Sequence, residues 1–215
     1  MTDDRTPETV IDFAECLRAP HLLVSGTTGS GKSVMLRGMI SEALRDPRAE
    51  LVLIDPKRVD LRRWKRAAVI YADTVPDTLR ALDAVAYLME RRYKALARQN
   101  AVKVKNAPVY VFIDELADIM LSDLSKRFRA KLQHVLQLGR AADIHVISAT
   151  QAPSRKVIPA EVVLNFTNRL ALRCLSAIES RQIIGTAGAE TLPRFGKGLY
   201  LTPEGLQAVT IPFTP

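Results

Sequence analysis

The sequence is short of several things. Among its 215 residues there are two cysteines, Cys16 and Cys174, and one tryptophan, Trp64. The cysteines lie far apart and form no C-x-x-C pair, which argues against a disulfide framework or a cysteine zinc site and makes a reducing compartment the default. No apolar run approaches the roughly 18 residues of a membrane-spanning helix. The first nine residues are polar and carry Asp3, Asp4 and Glu8, unlike the basic and then apolar opening of a secretory signal. Internal repeats and low-complexity tracts are missing too. The three histidines, His21, His134 and His145, show no metal-ligand spacing, and His145 reads as a packed, hydrogen-bonded strand residue. Both cysteines read as small core residues.

What remains is an ordinary globular composition, 47% hydrophobic and 25% charged. The chain is long enough to bury its own core. One domain over 1–215 is expected, with residues 1–9 flexible and the protein cytoplasmic. The formal net charge is +8, which favours a polyanionic partner without deciding the fold. It is unevenly placed: residues 57–105 hold 13 basic and 5 acidic side chains, whereas residues 1–56 hold 6 and 9. Arg62, Arg63, Lys65 and Arg66 crowd around Trp64, a residue that fits a packing anchor and also a stacking platform.

Four short apolar runs read as buried parallel strands: His21–Ser25, Leu51–Ile54, Val109–Ile113 and Ile144–Ser148. Helical stretches separate them, over Lys32–Leu44, Asp77–Arg98 and Ser125–Leu138. In the second, Leu82, Val85, Met89, Tyr93 and Leu96 recur at three- and four-residue spacing amid arginines. In the third, Phe128, Leu132, Val135 and Leu138 form one stripe. Alternation of this kind predicts an α/β fold with a mostly parallel sheet covered on both faces. Arg169–Leu172, Gly198–Leu201 and Gln207–Ile211 read as late strands, the last two joined by a turn at Pro203–Gly205.

The chemistry is carried first by Gly26-Thr27-Thr28-Gly29-Ser30-Gly31-Lys32-Ser33. This fits the phosphate-loop pattern GxxxxGK[ST], and a strand precedes it and a helix follows. The loop's N–H groups, with those of Val34 at the helix start, can cradle phosphates. Lys32 is placed to reach the β- and γ-phosphates, and Ser33 to hold Mg²⁺. Val109–Glu115 is a second element. Asp114 at the strand end is the expected carboxylate for Mg²⁺, though it also fits a helix cap. Glu115 is placed to polarise the attacking water as a general base. Gln151, at the end of the next strand, fits a γ-phosphate sensor and also a plain polar loop residue.

These residues and their order resemble the FtsK/SpoIIIE motors. The resemblance rests on HLLVSGTTGSGKS, LIDPKRVDL, MERRYKALA, VFIDELADIM, GRAADIHVISATQ and ESRQIIGTAGAE, and runs from about Val10 to Leu206. It implies a RecA-like P-loop NTPase with late antiparallel strands, using ATP and Mg²⁺, forming a homo-oligomer (a hexameric ring), and pumping double-stranded DNA, as in chromosome segregation or conjugative transfer. By resemblance, Lys32, Ser33, Asp114, Glu115 and Gln151 take the nucleotide-site positions. Arg140 matches the arginine finger presented to a neighbour's ATP, against a plain surface arginine near a helix end. Asp55 and Lys57 match an element of site support, against a turn around Pro56.

The sequence also departs from the family. Ala152 stands in ATQAPS, Val163 replaces a basic residue, and Ala177 and Glu179 stand in SAIESR, leaving Arg181, with Arg155 and Lys156 nearby. The resemblance assigns these stretches to DNA contact. A protein-translocating secretion ATPase and a non-motor nucleotide-binding module are therefore the alternatives.

Overall fold

A computed structural model describes residues 9–102, 107–151 and 153–213. Its strands are β1 (Thr9–Val10), β2 (His21–Ser25), β3 (Glu50–Ile54), β4 (Ile70–Ala72), β5 (Val109–Ile113), β6 (Ile144–Thr150), β7 (Asn168–Leu172), β8 (Lys197–Thr202) and β9 (Gly205–Thr210). Its α-helices are α1 (Phe13–Arg18), α2 (Lys32–Ala43), α3 (Val75–Gln99), α4 (Leu116–Met120), α5 (Ser125–Leu138), α6 (Ala160–Leu164) and α7 (Ala177–Ile184).

All nine strands form one sheet in the order β1-β9-β8-β7-β2-β6-β5-β3-β4. From β7 to β4 every neighbouring pair is parallel. β8 pairs antiparallel with both β7 and β9. The predicted α/β class, with a mostly parallel sheet and late antiparallel strands, is the fold observed.

The unbroken apolar runs follow from burial on both faces. Successive strand residues point to opposite sides. Val109, Val111 and Ile113 of β5 join the core shared with α3, α4, α5, α6 and α7, while Phe112 joins the core under α1 and α2. A strand covered twice has no polar side to alternate with.

The structure corrects several boundaries. β4 escapes a pattern search because it is a three-residue edge strand whose Ile70 and Tyr71 are only half-buried. α3 begins two residues before the expected Asp77. Thr74 caps it, accepting from the Asp77 N–H, and Pro76 sits in the first turn, where no intrahelical N–H is lost. On α5, Leu138 is exposed and Leu136 takes the buried place, because the helix is ending. Residues 1–8 of the expected flexible segment lie outside the described residues, and Thr9 pairs with Val209 in the sheet.

Candidate functional site

Parallel strands put all their carboxyl ends on one edge. Gly26 directly follows β2, Gln151 follows β6, Asp114 follows β5 and Asp55 follows β3. Register keeps these ends level: Ser25 lies beside Thr150, and Ile54 beside Ile113. One strand, β6, stands between the phosphate-loop strand and the Asp114 strand. Even so, Thr28, Gly29, Gly31, Lys32, Ser33, Val34, Asp114 and Gln151 line one cleft of about 480 Å³.

The loop is tied at its start, where the Thr27 N–H donates to the Arg173 carbonyl at 2.9 Å and the Gly26 N–H to Thr150 at 3.3 Å. Gly31 ends the loop at φ +114°, with the Gly196 nitrogen 3.5 Å from where a Cβ would stand. Another residue there would be strained. Ser30 is buried beside it and its carbonyl accepts from the Gly196 N–H. Lys32 folds its ammonium back onto the loop, donating to the Gly26 and Thr27 carbonyls at 2.6 and 2.9 Å. Burial lowers its pKa, opposed by the Glu115 and Asp114 carboxylates.

Asp114 is 8% exposed. Its pKa is pushed up to about 7, first by burial and then by Asp60, Asp55 and Glu115. Carboxylates crowded against a phosphate loop hold negative charge that a divalent cation relieves. Ser33 adds a hydroxyl from the first turn of α2, so the residues present fit Mg²⁺. Asp114 is not a helix cap: the residue at the start of α4 is Glu115, whose side chain makes no cap bond.

Glu115 is occupied elsewhere. Its carboxylate accepts from the Thr150 hydroxyl at 2.8 Å and from the Gln151 N–H at 3.1 and 3.2 Å. Lys57 reaches it at 3.4 Å and Asp118 at 3.5 Å. Burial of the Lys57 ammonium is outweighed by these two carboxylates, and its pKa is raised. The Thr28 hydroxyl donates to the Gln151 side-chain oxygen at 2.9 Å, linking the phosphate loop to β6. Asp55 is fully buried and accepts from the Val59 and Leu61 N–H groups and the Tyr71 hydroxyl. The two readings of this element divide between its residues. Asp55 builds the turn, and Lys57 contacts the site.

Arg140 is not part of this cluster. It is exposed, in a 3-10 turn (Gly139–Ala142) before β6, at the other edge of the sheet. The seven residues of β6 separate the two edges by roughly 20 Å. Arg140 therefore cannot reach its own chain's phosphate loop.

Sequence reading missed the far wall of the cleft, formed by Phe195, Gly196, Ile211 and Phe213, with Arg37 and Asp60 at its margins. Phe195 and Phe213 are 69% and 81% exposed, the Phe195 ring with the Arg194 guanidinium 5.5 Å from its centre, and they offer a planar ligand a nonpolar face. Their signal was an aromatic beside glycine, Phe195-Gly196, opening a late strand.

Two of the departing residues have local explanations, Val163 and Glu179. Val163 is buried in the core of α6. Ser176 and Glu179 cap α7: the Ser176 hydroxyl accepts from the Glu179 N–H, and the Glu179 carboxylate from the Leu175 N–H. Arg155, Lys156 and Arg181 are exposed, and Ala152 lies outside the described residues. Trp64 packs against the α2-side core with Arg63 stacked 4.9 Å from its ring, so it is an anchor.

A family model described as FtsK/SpoIIIE matches residues 6–109. A protein named DNA translocase FtsK from Rhizobium meliloti (strain 1021) is 34% identical over 249 residues, covering 93% of this chain and 28% of that protein. The chain thus spans little more than a quarter of that relative. Among solved structures, the pCW3 conjugation coupling protein TcpA, in monomer form with ATPgS, superposes with TM-score 0.83 at 23% identity, covering 90% of this chain and 60% of that one. The cytoplasmic domain of the Thermomonospora curvata type VII secretion ATPase EccC gives 0.74 at 23% identity, covering 91% and 26%.

Proposed function

This chain belongs to the FtsK/SpoIIIE family, and on that premise we propose that it is one ATP-hydrolysing motor domain that translocates double-stranded DNA from within a homo-oligomeric, hexameric ring. The observation carrying this is the convergence of the phosphate loop, Asp114 and Gln151 on one cleft, with Glu115 bonded to the Gln151 N–H behind it, in a chain whose relatives are named DNA translocases.

In this reading the N–H groups of residues 26–34 wrap the phosphates. Lys32 exchanges its bonds to Gly26 and Thr27 for the β- and γ-phosphate oxygens. Phe195 and Phe213 flank the base. Ser33 and Asp114 would hold Mg²⁺, which would screen the phosphate charge when bound. Glu115 takes the proton of the attacking water, oriented by Thr150 and the Gln151 N–H. Gln151 senses the γ-phosphate through its bond with Thr28. Arg140, remote from its own cleft, completes a neighbour's site, which couples turnover to assembly. The setting is the cytoplasm, and no described helix is long and apolar enough to cross a membrane.

The deciding experiment measures ATP turnover with and without duplex DNA over a salt series, with oligomeric state followed in parallel. DNA-stimulated turnover and salt-sensitive DNA retention are expected. Turnover indifferent to DNA, with no DNA retained, overturns the reading. That result favours a protein-moving ATPase, a second reading motivated by the buried Val163 and the capping role of Glu179 in stretches that the DNA reading needs for backbone contact.

A further inference from the structure

The Glu90–Tyr93 stretch, ERRY, takes no part in the cleft, and its arginines fit simple intrahelical ion pairing. The structure gives two of its residues another task. Arg92 is 5% exposed although it carries a permanent charge. One terminal nitrogen, Nη1, donates to the Ala142 carbonyl at 2.6 Å and to the Asp143 carbonyl at 3.2 Å. The other, Nη2, donates to Ala107 at 2.7 Å. The hydroxyl of Tyr93, the next residue, donates to the Leu138 carbonyl at 2.7 Å.

Those acceptors are not scattered. Leu138 is the last residue of α5, Ala142 the last of the 3-10 turn, and Asp143, at φ +55°, hands the chain to β6. Two consecutive residues of α3 therefore hold the backbone on both sides of the turn that displays Arg140. Further bonds keep the two helices in step: Lys131 pairs with Asp83, and His134 meets Glu90 at 3.3 Å. The turn is also packed as tightly as its backbone allows. A Cβ on Gly139 would lie 2.8 Å from the Ile144 carbonyl and 3.2 Å from the His21 ring.

Filling space does not explain a guanidinium at this position. An apolar side chain would fill the same volume without the cost of burying a charge. Three carbonyl acceptors offset part of that cost because they are fixed in place, the Arg92 Nε being buried without a partner among the described residues, and a planar fork with two donating nitrogens fixes them in return. Arg140 itself is exposed, and no ion pair or hydrogen bond holds its guanidinium among the described residues. A long free side chain delivers its charge accurately only if its backbone is held still.

We propose that Arg92 and Tyr93 are positioning residues for Arg140, fixing the α5–β6 corner so that the arginine is presented to a neighbouring subunit's nucleotide. This rests on Arg140 acting in trans, and the test separates the two ideas. In the full chain, Arg140→Ala, Tyr93→Phe and Arg92→Lys are each assayed alone and mixed with Lys32→Ala, whose own sites are dead but whose finger is intact. ATP affinity and melting temperature are measured for each. Tyr93→Phe keeps the ring and loses one hydrogen bond, so it decides the matter even if Arg92→Lys folds poorly.

Tyr93→Phe is expected to lower turnover at saturating ATP about 3- to 10-fold, the size of one lost hydrogen bond, and Arg92→Lys to lower it more. ATP affinity should stay within about twofold, and mixing with Lys32→Ala should restore part of the loss, as for Arg140→Ala. If Arg140→Ala itself turns over normally, or is not rescued, the in-trans reading falls and this proposal with it. If Arg140→Ala is lost and rescued while Tyr93→Phe turns over normally, or falls without rescue, positioning alone is overturned.

Discussion

Replacing Glu115 by Gln removes the charge of a heavily bonded carboxylate beside the cleft. The side chain is 3% exposed and accepts from the Thr150 hydroxyl, the Gln151 N–H and the Lys57 ammonium at 2.8 to 3.4 Å. A glutamine keeps one acceptor, enough for Thr150 and the Gln151 N–H. Its amide then faces Lys57, donor against donor. A charge-assisted bond is worth about 1.5–3 kcal/mol when buried, reduced to about 1–2 kcal/mol because Lys57 is 38% exposed, and each kcal/mol lowers the melting temperature of a domain this size by about 2–4 °C. A modest melting shift is therefore expected, with the phosphate loop intact and ATP affinity close to wild type. Turnover is a different matter. A general base contributes about 10²- to 10⁴-fold, or about 2.7–5.5 kcal/mol of barrier. Single-turnover hydrolysis at saturating ATP should fall by that factor while nucleotide binding and assembly persist. Turnover within about threefold of wild type would remove Glu115 from the base role. A melting shift beyond about 10 °C would instead mean that the carboxylate is structural first.

Two further outcomes test other parts of the molecule. Phe213→Ala removes an exposed ring from the cleft wall, so melting should not move, while base stacking worth about 1–2 kcal/mol weakens ATP binding by about 5- to 30-fold with turnover at saturation unchanged. Equal affinity by titration with a fluorescent nucleotide would show that the base lies elsewhere. His21 has its pKa lowered to about 3 by burial and by neighbouring His145. Its ring is held neutral, accepting from the Val146 N–H at 3.0 Å. The stability this gives is complete above the unfolded pKa of 6.5 and is lost as pH falls towards 3. By pH 5 the loss reaches about 2 kcal/mol, and His21→Asn, which keeps an acceptor, should flatten that slope in denaturant melts. An unchanged slope would assign the acid sensitivity to other groups.

Local sequence was enough for much of this protein. The apolar runs, the glycine loop ending in Lys32 and Ser33, and the carboxylates after β5 are contiguous in the chain, so period, spacing and residue type reveal them. Parallel pairing then requires the strand ends to meet at one edge, which is why sequence alone places Asp114, Glu115 and Gln151 together beside the phosphate loop. Other features depend on residues far apart in sequence. Phe195 and Phe213 reach the phosphate loop only because β8 starts, antiparallel to β7, at the edge where β7 ends, and β9 runs back to that edge. Val163 looked like a surface position until α6 folded it into the core. Arg92 in sequence fits an intrahelical ion-pair partner on a basic helix. It is buried because the carbonyls of Ala107, Ala142 and Asp143 converge on it, and only a tertiary arrangement brings three distant backbone acceptors to one guanidinium. The sequence determined where the phosphate-loop pattern and its neighbouring carboxylates stand along the chain. Tertiary structure alone decided how the turn bearing Arg140 is held, because the bonds from Arg92 and Tyr93 to Ala142, Asp143 and Leu138 join residues 45 to 51 apart in the chain.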